Sequence, residues 1–280
     1  MTSWKKLSCI WAGELFSSLS SSIVQFAIIW WIAKETNSPL ILTISFTVTY
    51  LPQAILSPFI GVWVDRLNKK WILIISDLLV ALLSAILGIL FYFDNIDIWQ
   101  IYVLLGLRAL CNSFYTPALQ SVIPLIAPKK QLLRVTSINQ GILTFTEMAG
   151  PVLGALFLSI LDMPTLVFLD VIGAIFASCL LLCIKIPSIK KVFKKSMFLY
   201  ELREGMKALQ ENKIITSLIL TSAALSLVLI PISVILPLVI VNHFQGDAME
   251  MGITEFIFGL GMLLGSLILV VKKKLVIDKG

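Results

Sequence analysis

The chain has 280 residues, of which 58% are hydrophobic and only 14% are charged. Ordinary globular proteins carry about 25% charged residues, so these values and a mean hydropathy of +0.97 exclude a water-soluble domain. The net charge of +6 lies in short clusters between long apolar runs. That distribution indicates membrane topology and contact with lipid headgroups rather than nucleic-acid binding.

Eight apolar segments are long enough to cross a bilayer as helices, because about 20 residues span its hydrocarbon core. In chain order they are residues 7–33, 39–62, 71–93, 98–127, 138–161, 164–185, 214–242 and 250–271. The runs are continuously apolar, whereas membrane strands are shorter and alternate, so the sequence predicts an all-α integral membrane protein. Lys5 and Lys6 precede the first run, but no small-residue cleavage site follows a short core, which favours a retained span over a signal peptide.

The basic residues predict the orientation of these spans. With the N-terminus in the cytoplasm, every lysine and arginine except Lys34 and Arg108 falls on the cytoplasmic side or at its boundary. The opposite links instead carry acidic residues: Glu35, Asp94, Asp97, Asp162, Asp247 and Glu250. By the positive-inside rule, the chain is predicted to be a multi-pass membrane protein with a cytoplasmic N-terminus.

Three ionisable side chains lie near mid-depth of a predicted span: Glu14 in the first, Arg108 in the fourth and Glu147 in the fifth. Such groups are costly in lipid and mark candidate functional sites. Burial favours the neutral form of a carboxyl group and a nearby arginine favours the charged form. A carboxyl group held between these effects could bind and release a proton. The alternative is a structural ion pair between helices.

Other polar residues of the spans have weaker assignments. Asn112 could donate a hydrogen bond to a substrate, or it could bond between helices. Asp77 and Asp170 follow helix starts, where the helix dipole stabilises a carboxylate, so a structural role is favoured for both. Glu255 is ambiguous in the same way. His243 is the only histidine, which excludes a multi-histidine metal site, and no cofactor is expected.

The link between the second and third spans contains a glycine, an Asp-Arg pair and a basic pair: Gly61, Asp65, Arg66, Lys69 and Lys70. Gly61 would let two helices approach closely, and Asp65 could bond to a helix N-terminus or pair with a cation. This segment resembles the signature loop of the major facilitator superfamily. The resemblance implies a gating loop that latches the cytoplasmic side in the outward-facing state.

The fifth span contains Gly150, Pro151 and Gly154, followed by Ala155. This pattern resembles the antiporter motif of drug-efflux members of the same superfamily, with Ala155 in place of the last glycine. Small residues at this spacing permit tight helix packing. Arg108 stands where the family's proton-linked motif has its arginine, although Asn112 and Phe114 replace the glycines expected after it.

The whole chain is similar to the bacterial macrolide-efflux branch of this superfamily. The similarity includes the stretches at 51–55, 76–78, 116–117 and 203–205. It implies two six-helix halves that rock between inward-facing and outward-facing states. We therefore expect a six-helix half at 1–185, a cytoplasmic linker with an amphipathic helix at 186–213, and an incomplete half at 214–280. About eight of the family's twelve helices are then present, which predicts a C-terminal truncation.

The resemblance implies a secondary active transporter, not an enzyme, that exports hydrophobic drugs such as macrolides by proton antiport. The implied partners are a hydrophobic small molecule, protons and the lipid bilayer, with no nucleic acid. Two alternatives remain open, an inactive truncated fragment of such a transporter and a different polytopic membrane protein. The second is disfavoured because the sequence has no Ser/His or His/Asp constellation and no phosphate-binding GxxxxGK[ST] motif.

Overall fold

A computed structural model describes residues 3–128, 131–184, 186 and 213–277. These residues form eight helices and, within the described ranges, no strand. In chain order the helices are α1 (Ser3–Thr36), α2 (Pro39–Arg66), α3 (Lys69–Tyr92), α4 (Ile98–Ile126), α5 (Leu132–Leu158), α6 (Met163–Leu182), α7 (Lys213–Asn242) and α8 (Ala248–Ile277). The predicted all-α membrane fold is confirmed, whereas the predicted amphipathic linker helix lies outside the described residues.

Seven of the eight helices are long and apolar enough to cross a membrane, and α4 is not among the seven. This helix contains Arg108, Asn112 and two internal prolines, Pro117 and Pro124. Charged and amide side chains lower the mean hydropathy of α4, so the helix that falls outside the seven also carries a predicted site residue.

Short polar links set the helix ends. Asn68 precedes α3, and its side chain accepts a hydrogen bond from the backbone nitrogen of Lys70 at 3.2 Å. Asp97 precedes α4 in a capping box with Gln100, which satisfies backbone donors that have no partner inside the helix. Since α2 continues to Arg66, only two residues separate α2 from α3.

Helices α1 to α6 pack around a layered interior. Helix α1 packs against α5 and α6, α3 packs against α6 and α4, and α2 packs against α4. One apolar cluster includes Ile28, Leu87 and Leu105, and a second includes Leu7, Leu73 and Leu119. Because the clusters use opposite ends of the same helices, the residues between them form a middle layer.

Helix α7 contacts this body mainly at one end, whereas α8 packs along α5. Leu238 and Ile240 of α7 and Met251 of α8 are buried, and a third apolar cluster joins the last two to Trp30 of α1. The first half of α7 is instead exposed, with Leu218 and Leu227 among its exposed side chains. The contact of α7 with the six-helix body therefore lies near its link to α8.

Candidate functional site

A layer of polar side chains lies between the two apolar clusters of the six-helix body. Four helices contribute buried groups to it: Glu14, Ser17 and Ser20 from α1, Asp77 and Ser84 from α3, Arg108 from α4 and Asp170 from α6. Buried polar groups are destabilising unless they are hydrogen-bonded. Their contacts divide this polar layer into two parts.

The first part is an ion pair between α4 and α6. The Nη1 atom of Arg108 lies 2.6 Å from Oδ2 of Asp170, and the two side chains are 5% and 0% exposed. Ser84 donates to Oδ2 of Asp170 at 2.7 Å, and Arg108 also donates to Ser84. Ser20 and Ser21 of α1 donate to Oδ1 at 3.3 and 2.7 Å. Both carboxylate oxygens thus have partners, from three other helices.

These contacts match the structural alternative for Arg108, an ion pair that joins helices. The sequence reasoning missed Asp170 as its partner, because a position near a helix start already explained that carboxylate. The serines were also missed, although a run from Ser17 to Ser22 with a single leucine inside it is an unusual sequence signal in an apolar span. Asn112 is exposed, one turn from Arg108, and makes none of the described hydrogen bonds of the layer.

The second part of the layer contains two carboxyl groups. Tyr115 of α4 donates a hydrogen bond to Oε2 of Glu14 at 2.7 Å, and Ser18 donates to Oε1 at 3.1 Å. Ser17 donates to Oδ1 of Asp77 at 3.2 Å, while Oδ2 of Asp77 is buried and has no hydrogen-bond partner among the described residues. Glu14 and Ser17 are about one turn apart on α1, and Ser17 bonds to Asp77. Two buried acids therefore lie in the same part of the layer, with hydroxyl groups as their hydrogen-bond donors.

Glu147 lies elsewhere, in a cavity of about 280 Å³ between α1, α2, α5, α7 and α8. The lining includes Trp30, Phe46, Tyr50 and Glu255, and it contains no lysine, arginine or histidine from the described residues. The structure therefore separates the predicted pathway residues. Glu14 and Arg108 belong to the polar layer, whereas Glu147 faces the cavity.

The antiporter-like motif forms the contacts of α5 with α1 and α8. A Cβ atom placed on Gly150 would lie 2.0 Å from Oγ of Ser22, and one on Gly154 would lie 2.8 Å from Phe26. On the other side, a Cβ atom on Gly252 of α8 would lie 2.8 Å from the carbonyl oxygen of Pro151. The predicted tight packing at this motif is confirmed.

The gating-loop residues differ from their prediction. Gly61, Asp65 and Arg66 lie in the last turns of α2, and Lys69 and Lys70 begin α3, so most of the segment is helical. The predicted close helix approach at Gly61 is wrong, because no atom of the described chain lies within 4 Å of a Cβ atom built there. The side chain of Asp65 lies outside the described part of the structure.

Lys70 has a contact that the sequence did not indicate. Its Nζ atom donates to the backbone carbonyl oxygens of Leu182 and Ile184 at 3.0 and 2.7 Å. The last carbonyl groups of a helix have no partner inside it and carry partial negative charge. Lys70 therefore caps the C-terminal end of α6 and joins it to α3.

Comparison with known proteins gives a consistent family. The profile of the Major Facilitator Superfamily matches residues 10–279. Macrolide efflux protein A of Streptococcus pyogenes is 33% identical over 269 residues, which cover 95% of this chain and 66% of that protein. Macrolide efflux protein A of Enterococcus faecalis is 32% identical over 83% of this chain and 72% of its own length. These similarities support a place in the macrolide-efflux-like branch.

More distant relatives and a solved structure agree with this family. Multidrug resistance protein MdtG of Escherichia coli is 26% identical over 64% of this chain and 42% of its own length. The crystal structure of a bacterial homologue of the human lysosomal transporter Spinster, inward-facing and unoccupied, matches with a TM-score of 0.72 at 14% identity. That match covers 95% of this chain and 62% of the other and shows the fold. The chain thus spans about two thirds of the length of the Streptococcus pyogenes relative.

Proposed function

The chain belongs to the Major Facilitator Superfamily, and from that premise we propose that it exports hydrophobic drugs such as macrolides in exchange for protons. The family excludes the alternative of an unrelated polytopic membrane protein. The names of the Streptococcus, Enterococcus and Escherichia relatives support drug efflux as the activity. The distribution of lysine and arginine supports a cytoplasmic N-terminus, and the bacterial drug-efflux relatives support a location in the plasma membrane.

The observation that carries the proton-coupled mechanism is the buried carboxyl group of Glu14 beside Asp77. Two nearby buried carboxylates repel each other and lose hydration, so a proton held by either acid removes the repulsion and lowers the cost of burying the pair. Arg108 is bonded to Asp170, which leaves the hydroxyl groups of Tyr115 and Ser18 as the hydrogen-bond donors to Glu14. Glu14 and Asp77 are therefore proposed as the proton-binding site, and Arg108 as a positioning residue.

Helix α1 provides a direct link between proton binding and substrate binding. Glu14 lies in the polar layer, whereas Ser22, Phe26 and Trp30 of the same helix line the cavity. Eight residues separate Glu14 from Ser22, which corresponds to about 12 Å along a helix axis. A change in charge at Glu14 that shifts α1 would move one wall of the cavity at the same time.

The proposed export is tested by producing the 280-residue chain in a macrolide-sensitive bacterial host without its own drug exporters. We expect cells that contain the chain to accumulate less radiolabelled macrolide, and a protonophore to abolish the difference. The Streptococcus pyogenes relative serves as the positive control. Equal membrane levels with no difference in accumulation would overturn export, whereas export that persists with the protonophore would overturn proton coupling alone.

A further inference from the structure

A second, larger groove lies between α5 and α8, beyond the contact that joins these two helices. Gly252 of α8 packs on Pro151 of α5, and Gly259 of α8 packs on Met148. Because the position on α8 rises as the position on α5 falls, the two helices are antiparallel. The groove extends from Met148 to Ser137 and encloses about 640 Å³. These two residues lie about 16 Å apart along the helix axis.

The two helices separate toward the start of α5. Gly141 lies about two turns before Met148 on the same face of α5. A Cβ atom on Gly259 would lie 2.7 Å from Met148, whereas no described atom lies within 4 Å of a Cβ atom on Gly141. The groove is therefore a wedge that is closed at Met148 and widens toward the start of α5. That end follows the basic residues Lys129 and Lys130 and is predicted to be cytoplasmic.

Three neutral polar side chains of α5 line this wedge and have no partner in the described structure. They are Ser137, Gln140 and Thr144, and none of them makes a hydrogen bond within the described part of the chain. Serine and threonine inside a helix can bond back to a carbonyl oxygen of the preceding turn. Thr136 and Thr146 of the same helix do so, at 3.1 and 2.8 Å. The wedge thus presents hydroxyl and amide groups that are available to a ligand.

The rest of the lining is aromatic and apolar. The exposed rings of Phe145 and Phe256 come from α5 and α8, and the lining contains no charged side chain from the described residues. An ion that entered this space would lose hydration without gaining a charged partner. Hydroxyl groups of a ligand can donate to and accept from serine, threonine and glutamine, while aromatic rings pack on apolar groups. A sugar ring carries hydroxyl groups on its edge and C–H groups on its faces, so it meets both requirements.

We propose that the wedge binds the uncharged sugar ring of a glycosylated amphiphile. Ser137, Gln140 and Thr144 bond to its hydroxyl groups, and the rings of Phe145 and Phe256 pack on its C–H groups. Sites for drug-sized ligands commonly enclose about 300–1,000 Å³, so a volume of about 640 Å³ has room for a sugar ring and part of the apolar body. The proposal rests on the export function proposed above and adds a substrate class to it, neutral glycosides.

The binding test uses the purified full chain in lipid nanodiscs without a proton gradient, so that it remains readable whether or not the chain exports drugs. The probe is decyl glucoside with a photoreactive diazirine in its alkyl chain. The counter-probe carries the same alkyl chain without the diazirine on a tetra(ethylene glycol) headgroup, which accepts hydrogen bonds but has a single donor. We expect the glucoside to label peptides of α5 and α8 at the wedge, and the counter-probe to compete about tenfold less well than unlabelled decyl glucoside. Equal competition would overturn the proposal, because hydrophobicity alone would then explain binding.

Two competitors identify the source of the sugar ring. Hexyl glucoside reaches the wedge from water, and a glucosyl diacylglycerol reaches it from the bilayer of the nanodisc. Displacement of the probe by hexyl glucoside supports a glycoside as substrate. Displacement by the glycolipid alone would overturn the substrate assignment, because the wedge would then hold a membrane lipid. Displacement by neither would overturn recognition of a sugar.

Variants locate the site. Gln140→Leu and Thr144→Val remove hydrogen-bonding groups with little change in volume, and each should weaken glucoside binding about three- to tenfold, the effect of losing one neutral hydrogen bond. Thr136→Val is the matched control on the same helix. The hydroxyl group of Thr136 already bonds to the backbone of α5, and this residue does not line the wedge. Unchanged binding in both wedge variants would refute the assignment.

A steric variant protects the conclusion against misfolding. Gly141→Leu places a side chain in the open space of the wedge without removing a polar group. It should abolish glucoside labelling at the wedge and leave the SDS concentration at the midpoint of unfolding unchanged. Labelling that persists in a stably folded Gly141→Leu chain would contradict binding in this groove, even in a chain that exports drugs.

Discussion

Replacing Gly150 by alanine would add one methyl group at the contact of α5 with α1. The added Cβ atom would lie 2.5 Å from Cβ and 3.2 Å from the backbone carbonyl carbon of Ser22, whereas carbon atoms in contact are about 3.5–4.0 Å apart. A rotation of the Ser22 hydroxyl group cannot relieve the contacts with Cβ and the backbone. The two helices must therefore separate by roughly 1 Å or more.

The magnitude follows from two opposing effects. Overpacking of a tight contact costs about 1–3 kcal/mol, whereas alanine in place of glycine inside a helix contributes about 0.5–1 kcal/mol of stability. We expect Gly150→Ala to lower the free energy of unfolding by about 1–2 kcal/mol as the balance of these effects. The measurement is reversible unfolding of the purified chain by SDS in mixed micelles, followed by circular dichroism.

Gly141 provides the matched control on the same helix. No atom of the described chain lies within 4 Å of a Cβ atom built on Gly141, so Gly141→Ala adds helix propensity without a clash. It should leave stability unchanged or raise it by up to about 1 kcal/mol. A second variant, Ser22→Gly combined with Gly150→Ala, removes the two side-chain atoms that clash but not the backbone carbon, and should recover part of the loss. If both alanine variants changed stability in the same direction, the argument from packing would be refuted.

Three other predictions concern the polar contacts. Asp170→Asn leaves Arg108 buried without its anion and should lower the free energy of unfolding by about 3–5 kcal/mol in the same assay. Adding Arg108→Gln should restore part of that loss. If the losses of the two single variants simply added in the double variant, direct pairing would be contradicted. Lys70→Met should increase the rate of amide hydrogen exchange in the last turn of α6, because two carbonyl oxygens lose their hydrogen-bond donor. Lys34→Met, at an exposed residue, is the control and should leave that rate unchanged. Glu14→Gln should abolish protonophore-sensitive efflux while the amount of protein in the membrane stays unchanged, and Tyr115→Phe should reduce efflux less. Glu35→Gln, at an exposed residue, is the control. Normal efflux by Glu14→Gln would exclude Glu14 as the proton site.

The sequence predicted the helices well because apolar run length depends on the chain alone. It could not predict which helix faces which. Gly61 and Gly150 both stand in apolar helices, yet the first meets open space in the described structure and the second meets Ser22. The difference lies in residues distant in the chain, and residue spacing along one helix carries no information about them.

The same limit applies to the ionisable groups. Burial of Glu14 and Arg108 followed from their depth in predicted spans, and the structure places both below 9% exposure. Their partners did not follow, because Tyr115 and Asp170 are 101 and 62 residues away. Glu147, Glu255 and Tyr50 line one cavity. Their proximity depends on the packing of α8 on α5 and of α2 near α1, which the sequence does not reveal.

Lys70 and Arg108 fasten α6 at two depths, one at its end and one inside the bundle. A helix fixed at two separate points resists rotation about its own axis, so α3, α4 and α6 are constrained to move as one block. The contact of α8 with α5 is of a different kind, since Gly252 and Gly259 lie seven residues apart on one face of α8 and present little more than backbone to α5. A surface of that kind offers few obstacles to sliding. Motion in this bundle is therefore expected to concentrate along the glycine face of α8, with the fastened block as the fixed support against which it moves.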